Sequence, residues 1–166
     1  MFENRPKIDL VLSRTDKVME KTGQVMLVIL WALTVYSLIT LPTIIPTHFD
    51  AAGKVNGHGH KAMLLFMPIL GTLLYWGMTY VNKYPHIFNY PVKITPENAL
   101  NQYTNGTKMG RYLIIALVTL FIVIVLVTYL TVKGVIDGLG YWFLPFIIFI
   151  IFIPMTYFII QAFKMK

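Results

Sequence analysis

Four side chains that could bind a metal ion lie close together in this sequence: His48, Asp50, His58 and His60. Zinc is bound by imidazole and carboxylate groups, often in tetrahedral sets. The His-x-Asp and His-x-His spacings place two ligands on one face only if the backbone is extended. The spacing therefore permits a zinc site without being specific for one.

Two other interpretations of these histidines stay open at this point. In one, His48 packs at the rim of the fold and donates to a backbone carbonyl, while His58 and His60 are solvated residues of a glycine-rich turn. In the other, the imidazoles become protonated near pH 6 and make this face more cationic.

Motifs for catalysis are missing from the chain. It has no His-Glu-x-x-His, no Gly-x-Ser-x-Gly and no cysteine, so zinc-protease, serine-hydrolase and thiol chemistry have no candidate residues. We expect a protein that is not an enzyme and has no cofactor, with zinc as the one cofactor left open.

The composition is that of an integral membrane protein. The chain is 57% hydrophobic, with a mean hydropathy of +0.66. Only 13% of its residues are charged, against about 25% in soluble domains. Segments of about 20 apolar residues can cross a bilayer as helices. The sequence predicts an all-α membrane protein with one domain, residues 25–166, and four spans at about 25–45, 62–81, 112–132 and 141–163.

The leader, residues 1–24, is predicted to form an amphipathic helix on the membrane surface. Pro6 suits the first helical position. Apolar side chains then recur at helical spacing, at Ile8, Val11, Leu12 and Met19. The alternative is a frayed tail.

The distribution of Lys and Arg predicts the orientation of the spans. Eleven lie in the leader, the second connection and the C-terminal tail, against three in the other two connections. Cytoplasmic segments carry such an excess, so we expect both termini inside and the histidine-bearing loop outside. The net charge of +7 is then a topology signal rather than a sign of nucleic-acid binding.

The outer loop is predicted to form a short hairpin. Asp50 and Gly53 occupy the first and fourth positions of a possible type I turn. The flanking residues 47–49 and 54–56 would form its two strands.

The four spans themselves contain no Asp, Glu, Lys, Arg or His, which disfavours an ion-coupled transporter.

The same loop resembles a known family. The residues that carry the resemblance are Pro46-x-His48-Phe49-Asp50-x-x-Gly53-x-x-Asn56, followed by Lys61. This run is similar to the membrane domain of unknown function at the front of SdpI-type immunity proteins, and residues 89–103 resemble the segment that follows it. The resemblance implies a multi-pass protein of the bacterial plasma membrane, resistance to a secreted peptide toxin and sequestration of a repressor. His58 and His60 are not part of the pattern, and proteins of that type continue with further spans.

We therefore expect an immunity-like or accessory protein whose outer loop contacts a peptide toxin or envelope factor. Phe49 would be the apolar anchor, His48 the polar contact, and Asp50 and Gly53 the turn. The expected partners are the lipid bilayer and a toxin or membrane protein, with a homo-oligomer left open. The alternatives are a small transporter or channel subunit, and a metal-binding membrane protein or enzyme that uses the outer-loop histidines.

Overall fold

The computed structural model describes residues 5–166 and contains four long helices and one small hairpin. The helices are long and apolar enough to cross a membrane, which confirms the predicted fold class. The elements are α1 (Arg14–Thr40), β1 (Ile44–Phe49), β2 (Val55–His60), a 3-10 turn (Lys61–Leu65) that leads into α2 (Phe66–Val81), α3 (Ala99–Val132) and α4 (Phe143–Lys164).

Helix α3 is the centre of the bundle. It packs against α1, α2 and α4, and Val118 and Val125 on α3 are fully buried beside Leu30 of α1 and Ile45 of β1. Helix α4 packs mainly on α3, and only 6% of its most apolar window is buried inside the protein. Most of its surface is therefore left for lipid.

The two ends of the bundle carry different segments. At one end, Arg5 donates to the carbonyl oxygens of His86 and Phe88, at 3.1 and 2.6 Å, and Gln102 reaches the C-terminal turn of α4. At the other, the hairpin lies against the connection between α3 and α4. We call these the basic end and the hairpin end. Their separation agrees with both termini lying on one side of the membrane, and the side itself stays a prediction from the Lys and Arg excess.

The predicted leader helix is wrong within the described residues. Residues 5–13 contain no helix, and α1 starts at Arg14 because Ser13 and Asp16 form a reciprocal cap. The Ser13 hydroxyl accepts from the Asp16 amide at 3.2 Å, and the Asp16 carboxylate accepts from the Ser13 amide at 2.9 Å. Such a cap fixes a helix start. Residues 14–24 are then the first turns of the first span rather than a separate surface helix.

Residues 5–13 are instead tied to the basic end. The Tyr103 hydroxyl donates to the carbonyl of Pro6 at 3.0 Å, and the Arg5 guanidinium lies 5.6 Å above the ring of Tyr90. Burial raises the pKa of Tyr90, so its hydroxyl stays protonated and donates to the Pro85 carbonyl at 2.9 Å.

Two span boundaries differ from the prediction. Helix α1 ends at Thr40, and Ile44 and Ile45 belong to β1, because Pro42 and Pro46 cannot donate to a continuing helix. Helix α3 begins at Ala99, thirteen residues before the predicted 112, so its first turns extend beyond the predicted span.

A π-helical stretch, Ile148–Phe152, interrupts α4 just before Pro154. In a regular α-helix the carbonyl of Ile150 would accept from residue 154, but proline has no N–H. The hydroxyl of Tyr112 on α3 donates to this carbonyl at 3.0 Å. A side chain of the central helix thus satisfies a backbone group that α4 leaves open.

Tyr112→Phe should lower the free energy of unfolding by about 1 kcal/mol, because the Ile150 carbonyl loses its donor in an apolar setting. Denaturant titration in detergent micelles measures the change. Tyr157→Phe is the control, since Tyr157 is 57% exposed on α4. Equal losses in the two variants would contradict the assignment.

Candidate functional site

The turn of the hairpin is built by Asp50 and Gly53, as predicted. The Gly53 amide donates to the Asp50 carbonyl at 2.9 Å, and the Asp50 carboxylate accepts from the amides of Ala52 and Lys54, both at 2.9 Å. Gly53 has φ +76°, a conformation that favours glycine. The carboxylate is therefore committed to holding the turn.

Backbone contacts fix this turn against the connection between α3 and α4. The Gly53 carbonyl accepts from the Gly140 amide at 3.3 Å, and Lys54 forms an isolated antiparallel bridge with Gly138. A Cβ on Gly53 would lie 2.3 Å from the Gly140 nitrogen. The two backbone segments can approach this closely only because Gly53 and Gly140 have no side chains. Sequence reasoning missed this contact, and the spacing Gly138-x-Gly140 was its one visible signal.

Lys61 holds the other end of the hairpin. Its ammonium donates to the Leu41 carbonyl at 2.9 Å, and its amide donates to the Thr43 carbonyl at 2.9 Å. The Lys133 ammonium lies 3.5 Å from the Thr40 carbonyl. Cations favour the carbonyl end of a helix. The predicted binding residue Lys61 thus has a structural role at the end of α1.

Phe49 is half-buried at the edge of a 270 Å³ cavity. The cavity is shared with Leu139, Phe143 and Leu144. The ring therefore faces the connection between α3 and α4, and its predicted role as an anchor for a partner stays a prediction.

His48 and Asn56 form an exposed polar pair on the hairpin. Nδ1 of His48 lies 2.5 Å from Oδ1 of Asn56. An amide oxygen only accepts, so Nδ1 of the imidazole donates to it, and its Nε2 is left for another group. The backbone carbonyl partner considered for His48 is wrong, because the cross-strand amide side chain takes its place.

His58 and His60 lie on strand β2, not in a turn. His60 Nδ1 accepts from the Ala62 amide at 3.1 Å and so caps the 3-10 turn, whereas His58 is exposed. Residues 5–166 contain no group of three or more His, Asp or Glu side chains placed to hold a metal ion. The zinc hypothesis for the four outer-loop residues therefore has no ligand set here.

A second polar site lies at the basic end and was missed from the sequence. Arg111 on α3 is 6% exposed. Its Nε donates to Glu20 of α1 at 2.9 Å, and its Nη1 lies 3.7 Å from the carboxylate of Asp16. In the sequence, Arg111 is only one of the eleven basic residues that predict the orientation. The available clue was Asp16 and Glu20 four residues apart, on one helical face.

This ion cluster adjoins a cavity of about 410 Å³. The cavity lies between residues 5–13 and the basic ends of α1, α2 and α3. The amide of Asn82 lines it, is 7% exposed, and has no partner for its Oδ1. The Tyr75 hydroxyl donates to the Glu20 carbonyl at 3.0 Å and so ties α2 to the same turn of α1.

Residues 25–72 match the family model of a domain of unknown function, DUF1648. The matched segment contains most of α1, the whole hairpin and the start of α2. An uncharacterized protein of Archaeoglobus fulgidus is 24% identical over 109 residues, which are 61% of this chain and 60% of that protein. This chain thus spans less than two thirds of that relative. No solved structure matches.

These findings support a multi-pass membrane protein with a domain of unknown function. They agree with the domain named in the predicted resemblance. Neither comparison names an activity, a ligand or a partner.

Gly53→Ala should lower the free energy of unfolding by about 2 kcal/mol more than Gly134→Ala does, because a new Cβ at Gly53 collides with the Gly140 backbone. Gly134 is a matched control, since its φ is +70° with nothing within 4 Å of a Cβ. Both variants carry the strain of a left-handed residue, and only Gly53→Ala adds the clash. Unfolding in micelles and trypsin cleavage after Lys54 report the effect. Equal losses of unfolding free energy in the two variants would show that the turn is not closely packed against the Gly140 backbone.

Arg111→Met should destabilise the protein by about 3 kcal/mol, since it leaves the Asp16 and Glu20 carboxylates without their cation. The control is Arg14→Met, at an exposed position of the same end, which we expect to be near neutral. Thermal unfolding in detergent compares the two. Similar small losses would mean that the cluster is open to water.

Proposed function

We propose that this membrane protein recognises a secreted peptide or an envelope factor through the polar face of its hairpin. The observation that supports this is a rigidly held hairpin whose outward side chains are not used by the fold. His48, Asn56 and His58 are exposed, and the pair formed by His48 and Asn56 leaves hydrogen-bonding capacity for a ligand.

Rigid support favours such a role on physical grounds. Asp50 fixes the turn, and backbone hydrogen bonds hold the two strands together. Gly53 and Lys61 attach the hairpin to the rest of the bundle. A binding element that is already ordered loses less entropy when its partner arrives. An extended peptide could contact the side chains that alternate outward along β2.

The resemblance to SdpI-type immunity proteins makes the proposal more specific. In this form, the protein lies in a bacterial plasma membrane with the hairpin outside, and it protects the cell from a secreted peptide toxin. It acts by binding rather than by catalysis. A transporter or channel subunit is a weaker candidate, because the predicted spans carry no charged side chain.

Expression in a sensitive bacterial host should raise the lethal dose of at least one peptide in a panel of secreted toxins. His48→Ala combined with Asn56→Ala should remove this protection at an unchanged membrane level. It should weaken peptide binding to the nanodisc-embedded protein by about tenfold, as expected for a lost hydrogen-bonded pair.

Lys93→Ala is the matched control, since Lys93 is an exposed cation of the basic end. It should leave both protection and binding unchanged. Equal protection by the wild type and the double variant, or no protection by either, contradicts the proposal.

A further inference from the structure

We propose that the 410 Å³ cavity at the basic end binds a primary ammonium group, from an aminophospholipid headgroup or from a small free amine. This site is separate from the hairpin and independent of the function proposed for it. Six polar or charged residues line the cavity: Asp9, Glu20, Thr79, Asn82, Lys83 and Arg111.

The charge balance inside the site favours a cation. Arg111 is the one buried cation of the cluster, and it contacts the carboxylates of both Asp16 and Glu20. The cavity lining and the adjoining Asp16 together carry three carboxylates and two cations, which leaves a net charge of −1. Buried charge is costly unless it is compensated, so a cationic ligand would stabilise this arrangement.

The unpaired groups near the cluster are acceptors. Oδ1 of Asp16 and Oδ1 of Asn82 are both buried without a hydrogen bond, although the first lies 3.7 Å from Arg111. The Asn82 side chain lines the cavity and packs on Gly110, where a Cβ would lie 2.9 Å from its oxygen. A ligand that fits must bring hydrogen-bond donors as well as positive charge.

A primary ammonium meets both needs, because it is a compact cation with three N–H donors. A divalent metal fits less well, since residues 5–166 contain no cluster of three or more His, Asp or Glu side chains suited to one. The cavity lies at the basic end, where the Lys and Arg excess predicts the cytoplasmic face of the membrane. Its lining includes Leu10 and Leu12, apolar side chains that suit the upper part of a lipid tail.

Two exposed charges, Asp9 and Lys83, lie at the cavity. Asp9 adds a second carboxylate for the amine. Lys83 supplies a cation at the same cavity for a phosphate, which a lipid headgroup carries and a free amine lacks. These two residues therefore offer a way to separate the two sources.

The test is native mass spectrometry of the detergent-purified full chain with added lipids. We expect the wild type to retain phosphatidylethanolamine about tenfold better than phosphatidylcholine, whose methylated nitrogen has no N–H to donate. Asp9→Asn and Glu20→Gln should each reduce this preference. Glu97→Gln, an exposed carboxylate of the same end, should leave it unchanged.

Competition then identifies the source of the ammonium. Displacement of the lipid by ethanolamine but not by tetramethylammonium supports a free-amine site. Resistance to ethanolamine, with weaker lipid retention in Lys83→Gln, supports the headgroup.

Three results would overturn the proposal. They are equal retention of the two zwitterionic lipids, stronger retention of phosphatidylglycerol, and acidic-residue variants that behave like the wild type. Because Asp9 lies exposed in a non-helical segment, Asp9→Asn keeps the test valid even if Glu20→Gln fails to fold.

Discussion

Carbonyl groups that the helices leave unpaired are the constraint on which this structure depends. Such groups need partners where water is scarce, above all in a bilayer interior, and here side chains of neighbouring elements pair with them. Helix α3 supplies donors to such carbonyls of α4. Tyr112 donates to the carbonyl of Ile150, and at the basic end Gln102 donates to the carbonyls of Ala162 and Met165.

This arrangement explains how α4 is held with so little buried surface. Its apolar side chains mostly face lipid, which gives no hydrophobic driving force for packing against α3. The hydrogen bonds from α3 set its position instead, and Pro154 creates one of the carbonyls they serve. At the hairpin end, the ammonium groups of Lys61 and Lys133 likewise pair with the last carbonyls of α1.

Local sequence chemistry was enough to predict some of this structure. The turn at Asp50 and Gly53 depends on residues within a few positions of each other, and the spans depend on length and apolarity. The prediction of a leader helix failed because the spacing of Ile8, Val11 and Leu12 suggested a helix, whereas the cap at Ser13 starts the helix later. The Asp50 carboxylate, also a candidate zinc ligand, is used by the turn itself.

Contacts between distant residues were beyond sequence reasoning. Arg111 pairs with residues more than ninety positions away. The sequence alone does not distinguish this buried arginine from a basic residue exposed to water. Gly53 and Gly140 meet only because the bundle brings two connections together. Counting positive charges gives a topology, but it does not show which charge is buried.

The segment that matches the domain family packs on parts of the chain outside it. Leu27 and Leu30 of α1 and Gly71 of α2 pack against one another and against Phe121 of α3, which lies outside residues 25–72. The turn of the hairpin likewise rests on Gly138 and Gly140, from the connection that follows α3. The position of the hairpin therefore depends on helix α3 and on the connection between α3 and α4, because these contact the matched segment.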